Sequence, residues 1–175
     1  MCFVRRLPLK LCCTLILGLF LAAWCNQARA DSTMEVYMWV AEKMEISFLP
    51  AIPKIYFVEK DQLQTAFKNG NRASYQHWAA EFGESQARQM MDQYLEGIVG
   101  LFVPDSETIY VYEYLPPCRR QAVLAHEICH FFQNFTDGVI KRDQYGADTL
   151  HLVREMEAYQ IEKKYTGEHC AAGQQ

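Results

Sequence analysis

"VLAHEICHFFQNF", residues 123–135, sets two histidines four apart, His126 and His130, with Glu127 directly after the first. On an α-helix, residues four apart project on nearly the same side, so both imidazoles can address one ion while Glu127 stands at the flank. The remaining residues of the stretch fit that reading. With His126 at 0° and an advance of roughly 100° per residue, Leu124, Ala125, Ile128, Phe131, Phe132 and Phe135 fall between about 140° and 260°, and His130, Gln133 and Asn134 gather on the His126 side. One face can bury in a core while the other lines a cleft. The competing reading is a solvated polar stripe that binds nothing.

Upstream of the stretch, "LFVPDSETIYVYEYL" (101–115) holds two β-rich runs joined by a Pro-Asp-Ser turn signal, which predicts a hairpin within 98–115. Pro116 and Pro117 then end the strand and open the helix. Farther back, residues 33–46 carry apolar side chains at helical spacing after Ser32 or Thr33, and "IYFV" (55–58) reads as a strand followed by a helix from about Asp61. The polar centre, 69–95, reads as two helices separated near Gly83. A last helix is expected from about Asp148 to about Tyr165. Helices around a small hairpin-based sheet give an α+β fold.

The first thirty residues have a different character. Arg5, Arg6 and Lys10 precede an apolar run from Leu11 to Cys25, and Ala28-Arg29-Ala30 is a small-x-small cleavage site, the pattern of a secretory signal peptide. The run is about fifteen residues, short of the roughly twenty a membrane span needs, and an uncleaved anchor is the rival reading. Cleavage after Ala30 leaves one domain, residues 31–175, long enough for a hydrophobic core. It would be secreted or periplasmic, without stable membrane insertion, and is expected to be a monomer. The segment removes Arg5, Arg6, Lys10 and Arg29 but none of the 21 acidic residues, so the remainder is more acidic than the full chain's net charge of −4. That balance argues against nucleic acid as a partner.

Of the seven cysteines, Cys118, Cys129 and Cys170 remain after cleavage. An odd number leaves one thiol unpaired, and in an exported protein one disulfide is expected. On one helix Cys118 and Cys129 would lie roughly 16 Å apart, too far to bridge, so a disulfide must use Cys170, with Cys118 the preferred partner.

A catalytic zinc site needs three protein ligands and an open position for water. The last helix offers His151, Glu155, Glu157 and Glu162. In projection Leu150, Val153, Met156 and Ile161 mark an apolar sector that contains Glu157, and a carboxylate in a core-facing sector is costly unless it is paired or bound to a cation. This favours Glu157 as third ligand; its alternative is an ion pair with Arg154 or Lys164. His151 and Glu155, four apart, read as a surface pair. His77 and His169 have no constellation around them.

Together, "HEICH" (126–130) and "EMEAYQIE" (155–162) resemble the gluzincin branch of zinc metallopeptidases, in which a Glu directly followed by Ala on a later helix supplies the third ligand. The resemblance covers roughly residues 98–165. It implies a zincin-like fold in which the active-site and ligand helices pack against a small sheet, one Zn2+ held by His126, His130 and Glu157, and Glu127 as the general base that activates water. The implied activity is hydrolysis of amide bonds in a polypeptide. Tyr159 stands where many such enzymes have Asp or Asn, and no Gly-x-x-His follows His130, which sets the metzincin arrangement aside. Tyr145, Tyr159 and His151 are candidates to stabilise an oxyanion, and "TIYVYEY" (108–114) could receive an extended substrate by strand addition unless it is an interior strand. The alternative function is a catalytically silent zinc-binding envelope module that holds a protein partner.

Overall fold

The computed structural model describes residues 32–140 and 147–170, so residues 1–31, which include the leader-like segment, residues 141–146 and the last five residues lie outside the described part. The chain divides into two units, Met1–Glu35 and Val36–Gln175, and the second carries the fold. Its class is α+β: among the described residues there are six helices and one three-stranded sheet.

Helix α1 (32–43) ends in a turn, and a loop leads to β1 (Lys54–Val58). Helices α2 (Lys60–Gly70), α3 (Arg72–Phe82) and α4 (Glu84–Gly97) follow. The break between α3 and α4 falls at Gly83, whose φ of 86° lies in the region that a Cβ disfavours. Strand β2 (Gly100–Val103), a single 3-10 turn at Pro104–Ser106 and strand β3 (Thr108–Tyr112) form the expected hairpin. Then come the two long helices, α5 (Pro117–Ile140) and α6 (Ala147–His169). Helix α5 opens with Pro117 in its first turn, where no amide donor is needed, and the Pro116 carbonyl accepts the first helical bond from Arg120 N at 2.9 Å.

The strand order is β1-β3-β2, with β3 parallel to β1 and antiparallel to β2. The "TIYVYEY" strand is therefore central, and both its edges are occupied; the expectation that it receives a substrate strand is corrected. Ile109 and Val111 alternate inward and are fully buried, while Tyr110 turns to the opposite face toward α2. The edge strand of the hairpin is β2.

The main core joins α1, β3, α5 and α6 through Tyr37, Val40, Ile109, Val111, Leu124, Ile128, Phe132 and Ile161. Residues 122–129 of α5 are buried without interruption, which includes His126 and Glu127. Burying a Val, Leu, Ile or Phe side chain contributes about 1.5–3 kcal/mol. Val123, Leu124, Ile128, Phe131 and Phe132 together outweigh the roughly 1–3 kcal/mol that each unsatisfied polar group on the same helix would cost. Cys118 and Cys170 are bonded, Cα to Cα 5.8 Å, and Cys129 is a buried free thiol. The preferred pairing is the one observed, and it ties the first turn of α5 to the end of α6.

Candidate metal centre

Helices α5 and α6 lie antiparallel: Arg119 meets Glu162, Gln121 meets Tyr165, and Gln133 meets Arg154 and Glu157. Midway along this pair, His126 Nε2 and His130 Nε2 stand 3.1 Å apart. Glu155 closes the triangle, with Oε1 3.3 Å from His130 Nε2 and Oε2 3.6 Å from His126 Nε2. Three ligands of a tetrahedral zinc with bonds of about 2.0–2.1 Å sit about 3.3–3.4 Å from one another. The two Nε2 atoms lie near that value, and with one ligand atom from each residue all three atoms lie within 4.8 Å of one another, so His126, His130 and Glu155 form a group able to hold a metal ion.

Glu157 is not the carboxylate brought to the imidazoles. It is exposed, and its Oε2 accepts a hydrogen bond from Gln133 Nε2 at 3.0 Å. The reason is the rotation of α6. Its inward face is Ala158, Ile161, Glu162 and Tyr165, whereas Val153 and Met156 are 43% and 55% exposed. The stripe 155, 158, 162, 165 repeats at three and four residues, so Glu155 continues the buried face by one turn. Ala158 and Tyr165 weigh little in an apolar projection, and three larger apolar side chains on another side outweighed them.

Glu157 still bears on the site at one remove. Gln133, 3% exposed, donates through Nε2 both to Glu157 and to the Arg154 carbonyl at 3.0 Å, which turns its Oε1 toward His130. That oxygen accepts from His130 Nδ1 at 2.9 Å. With the proton on Nδ1, the lone pair of His130 is at Nε2, toward Glu155. Gln133 was assigned only to the polar side of its helix; its place three residues after His130 is the one sequence signal for this role.

The electrostatics are those of a cation site. Burial alone would pull the His126 imidazolium down, but the neighbouring carboxylates of Glu155, Glu162 and Glu127 more than offset it and push the group up to about 9. The His126 and His130 imidazoles beside it hold Glu155 well below the usual carboxylate range. For Glu162 burial acts upward, and His126 and Arg119 together outweigh it and lower it. Glu127 goes the other way: burial raises it, against the pull of His130, His126 and the Phe102 backbone amide. A carboxyl shifted upward is a stronger base than a free carboxylate, the direction a proton acceptor needs. Burial also raises the Cys129 thiol, which therefore stays protonated.

Glu127 has a fitted seat. A methyl group at Gly100 of β2 would overlap Glu127 Oε1 and lie 2.7 Å from Val123 Cγ1, so the edge strand approaches α5 this closely only because residue 100 has no side chain. We predict that Gly100→Ala displaces the Glu127 carboxylate and lowers stability by about 1–3 kcal/mol, as overpacking does. Chemical denaturation of the variant is the measurement; unchanged stability would show that Glu127 moves aside freely.

Of the oxyanion candidates, Tyr159 packs edge-on against His126, with ring centroids 4.9 Å apart. His151 is exposed, and Tyr145 lies outside the described residues. His77 pairs with Glu81 on the surface and His169 stacks on Tyr165, both away from the site.

Fold and site together define an α+β protein with a partly buried His-His-Glu group, on two long antiparallel helices, that can hold a metal ion. Compared with protein-family models, curated proteins and solved structures, the chain gives no significant match. No helix among the described residues is long and apolar enough to cross a membrane.

Proposed function

We propose that this protein is an exported zinc-dependent metallopeptidase of the zincin-like, gluzincin type, with His126, His130 and Glu155 as metal ligands and Glu127 as general base. The observation that carries the reading is the convergence of the two Nε2 atoms and the Glu155 carboxylate within 4.8 Å of one another, with a buried Glu127 next to His126 in the chain. Zinc held there would supply a Lewis acid and a water of lowered pKa. The ligand set also accepts other divalent ions, so zinc rests on the resemblance and the spacing. Glu127 takes the proton of the attacking water and passes it to the leaving amine. Strand β2, which carries Gly100 against Glu127, presents the sheet edge to which an extended polypeptide can add. Export agrees with the Cys118–Cys170 disulfide, a bond that persists in oxidising compartments.

The test is Glu127→Gln. Hydrolysis of an unfolded protein substrate by the zinc-loaded protein should fall by about 100- to 10,000-fold, the usual contribution of a positioned base, with zinc content unchanged. Stoichiometric zinc with no cleavage that depends on Glu127 would instead make the chain a silent zinc-binding module that holds a protein partner.

A further inference from the structure

Behind the His126 ring, on the side away from His130 and Glu155, stands a second carboxylate. Glu162 Oε2 lies 3.1 Å from His126 Nδ1, an ion-pair distance whose angle falls short of a hydrogen bond, so that Nδ1 is the one buried side-chain nitrogen without a hydrogen-bond partner among the described residues. The other oxygen, Glu162 Oε1, accepts from Arg119 Nη1. Glu162 is 8% exposed and occupies the inward stripe of α6 one heptad after Glu155, while Arg119 reaches it from the first turn of α5. Both carboxylate oxygens are thus engaged on the far side of the ring, and Glu162 is not a fourth member of the metal-binding group.

Resting on the reading of His126, His130 and Glu155 as a cation site, we propose that Glu162, anchored by Arg119, is the positioning residue for His126. A carboxylate at Nδ1 selects the tautomer with the proton on that nitrogen and leaves the Nε2 lone pair aimed at the ion. Arg119 keeps the carboxylate in place by a charge-assisted bond, stronger than a neutral one. His130 is oriented by the neutral amide of Gln133, so the two imidazoles are braced unequally, and the His126 side carries the charged support. A plain helix-to-helix tie between Arg119 and Glu162 would stabilise the pair without any effect on the ring.

Glu162→Gln separates the two. It keeps the size but removes the charge and replaces one acceptor oxygen by an NH2 donor; with the remaining oxygen on Arg119, that donor faces His126 Nδ1. We expect zinc affinity to fall by about 10- to 100-fold, the effect of losing a carboxylate that supports a ligating histidine. Nitrogen-15 NMR of the protein at pH 10 without added metal should show His126 moving from the Nδ1–H form in the wild type to a mixture of tautomers, and Glu162→Asp should restore part of both properties. Zinc affinity within threefold of wild type, or a His126 tautomer that Glu162→Gln leaves unchanged, would overturn the proposal. Failure of the wild type itself to take up zinc would remove the metal-site reading, and the tautomer measurement would still decide the role of Glu162.

Discussion

Glu155→Ala should abolish stoichiometric zinc binding, whereas Glu157→Ala should retain it with affinity lower by about 10- to 100-fold. The difference follows from what each carboxylate touches. Glu155 lies 3.3 and 3.6 Å from the two Nε2 atoms, and its loss leaves two ligands, too few for a zinc site. Glu157 reaches His130 only through Gln133, so its loss loosens the ring without removing a ligand. Metal analysis after dialysis measures the first effect, and competition with a chelating indicator measures the second. Thermal stability gives an independent check. Zinc at about 1,000 times the wild-type Kd stabilises a protein that binds it only when folded by about 4 kcal/mol; the gain should be about 1.4–2.7 kcal/mol in Glu157→Ala at the same zinc concentration and absent in Glu155→Ala. The reverse pattern, with Glu157→Ala losing the metal, would mean that α6 presents its other face and that the arrangement described above is incorrect.

Opening the Cys118–Cys170 bond should have a comparable effect on stability. The bridge closes a loop with a sequence separation of 52 residues. Loop-closure entropy for that length corresponds to about 4 kcal/mol at 25 °C. For a domain of this size the melting temperature should drop by roughly 8–16 °C in the Cys118→Ser, Cys170→Ser double variant. Every residue of the candidate centre, from Arg119 through His126, Gln133 and Glu155 to Glu162, lies between the two cysteines in sequence. The bond therefore restrains the one helix pair whose contact assembles the site, and the double variant should also bind zinc more weakly. Calorimetry with and without zinc measures both effects. A melting temperature within 2 °C of wild type would show that α5 and α6 are held by their packing alone.

The two predictions mark where the reading of the chain held and where it did not. Helix α5 was legible because its information is local: proline at the first position, apolar residues on one side and the two histidines on the other are all properties of one segment. The hairpin, the break at Gly83 and the exclusion of a Cys118–Cys129 bridge were legible for the same reason, since turn chemistry and helical rise do not depend on distant parts of the chain. The centrality of β3 was not. Its pairing with β1 joins residues more than fifty positions apart, and an alternating strand with one aromatic face has the same pattern at an edge as in the middle.

The amino-acid sequence by itself determined the α+β class, the helix that carries His126, Glu127 and His130, and the need for Cys170 in any disulfide of the domain. Tertiary structure alone decided which carboxylate completes the group, because that depends on the rotation of α6 about its axis against α5. Apolar side chains occur on several sides of α6, and its phase is settled where the small, fully buried Ala158 and the ring of Tyr165 meet the neighbouring helix. Once that contact is made, Glu155 and Glu162 must face His126 from its two sides, and Glu157 turns outward to Gln133.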